Sequence, residues 1–422
     1  MASAVAMGLL LLVLLGGLAL AVRSYQRSGE AIEPAAAPPS AYTPAPTAGV
    51  PFLVYGSGSL DPAHPSGITA TELPTDRSLG QTAVGMQGWS LALAPDGRRA
   101  FLLDGSRFAE LETPSLRVLH QTWLPNAINL LGAGRVVAVA PDGTEVYIET
   151  WRQTGPQRID PELRVGQPDG EYGVAVYDVA QGAFVRQIRL DSPWCGVAEL
   201  YALPDHTLAV LCSTAQQLRL VSTVAGRQVA SIGVNAVAGV PSVDGRRFLT
   251  VDIGGGVHEI DLAARAESRW VQLRSDRGTV WVPFQRLHLS ADGARLFVRT
   301  APGDTEARAT GQGTAVAVID TTTLQQVASV PLPAPAFDAV PAPDGSALLT
   351  SNTNTQDPLA AVTRLVEAPS GRELARWPGA LVGLQARSLS RLTAVASVAT
   401  SSEQTPDHGT DSDRNDRSKP GQ

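Results

Sequence analysis

The tetrapeptide Ala-Pro-Asp-Gly occurs three times, at residues 94–97, 140–143 and 342–345. Each copy lies between two short apolar runs, as in LALAPDGRRAFLL, VAVAPDGTEVYIE and AVPAPDGSALLTS. Three degenerate copies, LYALPDHTLAVLC, GVPSVDGRRFLTV and LHLSADGARLFVR, follow the same grammar. In such a stretch proline presets φ, the aspartate side chain caps nearby N–H groups and glycine takes the left-handed conformation. Each copy therefore predicts two strands joined by a tight turn. His206 stands where glycine belongs and predicts a strained turn or a turn of another type.

A second hairpin follows each copy, marked by an acceptor side chain just past a strand: Glu112, Asp178, Ser222, Asp261, Asp320 and Glu367. A seventh marker, Glu72 in TATELPTDR, precedes the first tetrapeptide. Its missing first hairpin is supplied by Leu384–Val398 at the other end of the chain. The markers step by 39 to 66 residues, the range of four-stranded repeats that bury both faces against neighbours. The expected fold is all-β: seven four-stranded antiparallel blades at 52–399, closed by pairing of the N- and C-terminal segments.

These hairpins resemble the YVTN-type and WD-repeat-like seven-bladed β-propellers of bacterial surface and secreted proteins. The name-giving Tyr-Val-Thr-Asn survives only as LLTSN, ending at Asn352, and the Trp-Asp of true WD repeats is absent. The resemblance implies a scaffold, a lactonase or a dehydrogenase subunit, and carries no residue roles.

Outside the repeats, Met1–Val22 holds no charged side chain and is long enough to span a bilayer. Residues 1–27 read as a signal anchor with a single pass. The alternative is a signal peptide cleaved near Ala21, giving a secreted protein. The propeller is expected on the extracytoplasmic side. Residues 28–51 form a Pro/Ala-rich spacer, and 400–422 are polar and aperiodic. Net charge is −7 with a single lysine, Lys419, which argues against nucleic acid as a partner.

In a four-stranded blade the tight turns share one face, and the connections between second and third strands, and between blades, share the other. The connection ETWRQTGPQRIDPELRVGQPDGEY and, less so, TAPGDTEARATGQG are long, so binding is expected on that second face. Trp89, Trp123, Trp194, Trp281 and Trp377 fall between blades and Trp151 opens the long connection. They serve either as plugs in the seams or as an aromatic recognition surface, with Trp151, Trp194 and Trp281 the candidates for the latter. First strands line the central channel, so Glu199, Tyr201, Arg286, His288 and Asp338 can converge at its mouth. There they form either a structural ion network or a site for a small polar ligand or acid–base chemistry. Cys195 and Cys212 approach the same rim and could form a disulfide. No metal-ligand spacing, nucleophile elbow or phosphate loop occurs, and neither cofactor nor metal is expected. The leading functional expectation is a monomeric, membrane-anchored, non-enzymatic scaffold for a protein or cell-envelope partner. The alternative is a ligand-binding or lactonase/dehydrogenase-like propeller using the channel mouth.

Overall fold

The computed structural model describes residues 52–58, 67–73, 77–83, 89–104, 107–124, 137–159, 166–190, 197–212, 215–274, 280–283, 286–302, 312–342, 345–352, 362–378 and 387–388. The apolar N-terminal run, the spacer, the tail, Trp194 and Cys195 lie outside them. Every regular element among the described residues is a strand, and no helix there is long and apolar enough to cross a membrane.

The strands form the antiparallel blades of a β-propeller. Six sheets are four-stranded, where seven such blades were expected. The remaining sheet has five strands because its inner strand is broken into Val280–Trp281 and His288–Leu289. Pro283, two residues past the end of the first fragment, has no N–H to give the ladder. The two fragments pair with residues 301–302 and 296–297 of the next strand, on either side of Val298, Arg299 and Thr300.

The sheet joining the chain ends also departs from expectation. Phe52–Gly58, Gly67–Leu73 and Arg77–Ala83 supply three strands, and among the described residues only Arg387–Ser388 comes from the C-terminal side, pairing with Leu53 and Phe52. Phe52–Gly58 runs in full register with Gly67–Leu73, so it takes the place that sequence reasoning gave to a C-terminal hairpin.

Sheets consecutive in the chain are glued by six apolar clusters, each drawn from two neighbours. The clusters explain why most strands are apolar on both faces: both are buried against another sheet. One of them sets Leu103 and Phe108 of one blade against Val137, Ile148 and Tyr177 of the next.

The repeated turn has the expected chemistry. Gly97, Gly143, Gly245, Gly293 and Gly345 adopt φ of 68–74° and donate N–H to the carbonyl three residues back at 2.8–2.9 Å. Asp96, Asp142, Asp205, Asp244 and Asp292 each accept the N–H two residues on at 2.9–3.2 Å. His206 keeps the left-handed conformation at φ 60°, so the turn survives without its glycine. Such a backbone costs a side-chain-bearing residue roughly 1–2 kcal/mol. In the second hairpins the marker's carbonyl accepts from the residue four positions on, with Leu116, Gly182, Gly226, Leu324 and Gly371 left-handed there.

The glycine also serves the seam. A Cβ on Gly245 would stand 2.6 Å from Pro204 Cδ, in the turn of the preceding blade, and one on Gly293 would stand 2.7 Å from Val243. Each turn thus seats its second residue against the glycine of the next. Gly245→Ala is expected to cost about 2–4 kcal/mol, combining left-handed strain with overpacking. Gly226→Ala, left-handed but with nothing within 4 Å, should cost about 1 kcal/mol. Equal losses in urea denaturation would show that the seam contact contributes nothing.

Candidate functional site

Six residues before the turn aspartates Asp96, Asp205, Asp244 and Asp292, inner strands and their approaches carry Ser90, Glu199, Ala238 and Arg286; Asp338 is the matching residue in the last complete blade. Neighbouring inner strands pack side by side, so these equivalent positions share one level of the channel wall. The level lies toward the end of each strand away from the tight turn.

Glu199 is 2% exposed. Its Oε2 accepts the N–H of Gly239, on the inner strand of the next blade, at 2.7 Å, while Oε1 has no hydrogen-bond partner. The Tyr201 hydroxyl donates to the Gly239 carbonyl at 2.8 Å, so two side chains of one blade grip one glycine of its neighbour. Burial pushes the Glu199 carboxyl up to about 8, against the opposing pull of the Gly239 N–H, the Arg286 charge and Tyr201. Burial likewise raises the Tyr201 phenol, reinforced by Glu199.

Arg286 belongs to the broken blade, beyond the Ala238–Gly239 pair, and its charge acts on Glu199 on one side and Asp338 on the other. Only small residues intervene at this level, which leaves room for a guanidinium to reach across a blade. Burial works to raise the Asp338 carboxyl, but His288, Arg299 and Arg286 together hold it below its ordinary range. His288 Nε2 lies 3.4 Å from Asp338 Oδ1 without making a well-formed hydrogen bond.

Sequence reasoning grouped Glu199, Tyr201, Arg286, His288 and Asp338, and in the structure charge links these residues across three blades. It missed Arg299. That side chain is 2% exposed, lies between the two stretches that pair with the inner fragments and donates to the Ala336 carbonyl at 2.8 Å. Burial pulls its guanidinium down to about 10, against the attraction of Asp338. A second arginine four residues into the apolar strand RLFVRTA was the available signal.

Trp281 is buried between Val280 and Val282 rather than displayed, and Trp123 is 70% exposed. The backbone of Trp151 pairs with Tyr172. Cys212 is buried and disulfide-bonded. A further group on the same face was not anticipated: His258 lies between Glu267, 3.0 Å from Nδ1, and Asp252, 3.3 Å from Nε2, with its ring stacked on the half-exposed Trp270.

The long connection is not a loop. Glu145–Ile159 and Gly166–Asp178 form a continuous antiparallel hairpin, with one irregularity between Pro168 and Gly170. The corresponding strand of the next blade, Thr207–Cys212, has six residues against fifteen here. Three of the extra nine are taken up by the bulge, so the seven residues 166–172 opposite them set the arm's length, about 23 Å at the rise of an extended strand.

A groove of about 680 Å³ opens on the opposite, tight-turn face, between the turns at Asp142 and His206. Its charged groups satisfy one another. Glu145 pairs with Arg186 at 2.8 Å and accepts from Tyr147 at 2.7 Å, and Arg186 reaches the Thr223 carbonyl at 3.3 Å.

No protein-family model and no curated protein matches the chain. Many solved structures do. A functionally unknown protein from Desulfotomaculum acetoxidans is 14% identical, with 79% of this chain and 98% of that one covered and a TM-score of 0.55. Dihydro-heme d1 dehydrogenase NirN is 18% identical over 83% of this chain and 78% of its own, at a TM-score of 0.48. The β-propeller domain of Myceliophteria thermophila Cps50 (Swd1) is 13% identical over 68% and 85%, also at 0.48. What is shared with them is the fold alone.

Proposed function

We propose that this chain is a tethered, non-enzymatic propeller of the bacterial YVTN/WD-repeat-like kind, which takes a protein or cell-envelope partner through the face that carries the hairpin arm. In this reading the broken five-stranded sheet counts as the seventh blade and the propeller acts as a monomer. Residues 1–27 anchor it, the spacer holds it outside the membrane, and Cys195 closes a disulfide with Cys212. The observation that carries the reading is the arm. Among the described residues, the strand stretches 153–159 and 166–170 pair only with each other, and such edges recruit a further strand from a partner. A two-stranded hairpin is marginal alone in water, so a partner that pairs with it also orders it.

Replacing Trp151–Tyr172 by a two-residue turn should leave the melting temperature within a few degrees while abolishing capture of the partner by crosslinking from native cell envelopes. Unchanged capture overturns this reading.

A second reading, a small-ligand site in the channel, is favoured by one observation: Glu199 Oε1 is buried without a hydrogen-bond partner, within the field of Arg286, which also acts on Asp338. A polar atom left that way costs about 1–3 kcal/mol, which a structural ion network would ordinarily avoid.

A further inference from the structure

We propose that His258 is a proton-operated clasp on the surface of its blade: as imidazolium it ties Glu267 of the outer strand Ala266–Gln272 to Asp252 of the turn 252–256 and pins the Trp270 ring, and on losing its proton it lets both side chains go. The device depends on neither the arm nor the channel.

Geometry assigns the charged form. Glu267 Oε2 lies 3.0 Å from Nδ1 and Asp252 Oδ2 lies 3.3 Å from Nε2, so each ring nitrogen faces a carboxylate oxygen. An ionised carboxylate only accepts, and imidazole has two N–H groups to give only when it is protonated. The close approach is built in. A Cβ on Gly256 would stand 2.6 Å from Asp252 Oδ2 and 2.9 Å from His258 Nε2, so a larger residue there would drive the pair apart. The half-exposed Trp270 ring stacks on the imidazole with centroids 6.0 Å apart, an arrangement that favours a cation.

Thr250 and Trp270 flank His258 across the sheet, neither of them ionisable. The preceding blade packs Leu218, Ile232 and Val234 against the same face, beside Ile260. Glu199 and Tyr201 of that blade grip Gly239, one strand further in than Thr250. Asp252 and Glu267 are thus the charges that hold the proton. Burial works to lower the imidazole, but these two raise it above its ordinary value.

The two carboxylates are held unequally. Asp252 Oδ1 accepts the N–H groups of Gly254 and Gly256, both at 2.8 Å, and the turn is fastened to the next blade where Val282 N–H donates to the Ile253 carbonyl at 3.0 Å. Glu267 keeps 46% of its side chain in water, against 19% for Asp252. A neutral ring has one N–H, which stays with Asp252, and its bare Nδ1 then repels Glu267 into solvent. Gln272 still holds the Gly254 carbonyl and Arg269 still holds Glu259, so the movement is confined to the side chains of Glu267 and Trp270. The clasp's stabilisation is whole below 6.5, where an unfolded histidine is charged as well, and is lost as pH rises through the raised folded value.

The test follows Trp270 in the full chain, as the fluorescence difference between wild type and Trp270→Phe from pH 5 to 9. Its intensity and its quenching by acrylamide should rise together through one transition with a midpoint above 6.5, as the quenching imidazolium is lost and the indole is unpinned. Glu267→Gln, a change at a half-exposed side chain, should lower the midpoint by about one pH unit, and His258→Gln should abolish the transition. A midpoint at or below 6.5, a midpoint that Glu267→Gln leaves in place, a transition that survives His258→Gln, or a rise in intensity without a rise in acrylamide access each overturns the clasp.

Discussion

At pH 8 the Glu199→Gln protein should unfold at a distinctly higher urea concentration than wild type, although the two should nearly coincide at pH 4.5. The cause is the proton that Glu199 keeps when folded. Its carboxyl is raised from 4.5 to about 8 by burial. Below 4.5 both folded and unfolded chains carry that proton and the full stability is present. Between 4.5 and 8 the folded chain holds a proton that the unfolded chain has released, so stability falls by about 1.4 kcal/mol per pH unit. Above 8 the loss is complete, roughly 5 kcal/mol in all. Glutamine has the same shape, can accept the Gly239 N–H and has no proton to lose, so its advantage should grow steadily across that window. Arg286→Ala makes the complementary case: removing the one nearby charge that favours the ionised form should move the window's upper edge to higher pH. Parallel stability curves for Glu199→Gln and wild type between pH 5 and 8 would mean that Glu199 is ionised in the folded protein.

How far this arrangement could be read from sequence depends on which physical rule governed each part. The turns were legible because proline, aspartate and glycine at fixed offsets leave the backbone few options, and even His206 submits to the pattern. Convergence of Glu199, Arg286 and Asp338 was legible because equivalent offsets from a repeated turn become equivalent heights on a channel wall. Neither rule reaches the departures. The arm read as a loop because Pro156, Pro161 and Pro168 argue against strands. The ladder absorbs Pro168 at an irregularity, and a two-stranded edge tolerates a missing N–H. Arg299 was missed because blade strands are buried on both faces, so alternation does not separate channel-facing from seam-facing positions. The three-to-one division of the terminal sheet was hidden for another reason. Phe52–Gly58 has no tetrapeptide to mark it, and a strand without its turn carries little signal.

Gly239→Ala is expected to destabilise the protein by about 2–4 kcal/mol, more than its single methyl suggests. No left-handed backbone is involved; the glycine is required by proximity. A Cβ at 239 would stand 2.3 Å from Phe248 Cε1 and 3.2 Å from Leu211 Cδ2, both fully buried. Phe248 in turn meets the Tyr201 ring edge-on, with centroids 5.8 Å apart. The strain therefore passes from the methyl to Phe248 and on to the tyrosine that, with Glu199, holds the Gly239 peptide. Two hydrogen bonds across the seam depend on that peptide staying in place. Phe248→Leu should relieve the clash. Alone it costs about 1–2 kcal/mol as a large-to-small change, but combined with Gly239→Ala the total loss should fall short of the sum by at least about 1 kcal/mol. Strictly additive losses would show that the glycine is not there for Phe248. A loosened Gly239 N–H also removes the hydrogen bond that favours ionised Glu199, so in Gly239→Ala the pH-dependent loss of stability should extend above pH 8. That second readout ties the packing of one seam to the protonation of the channel.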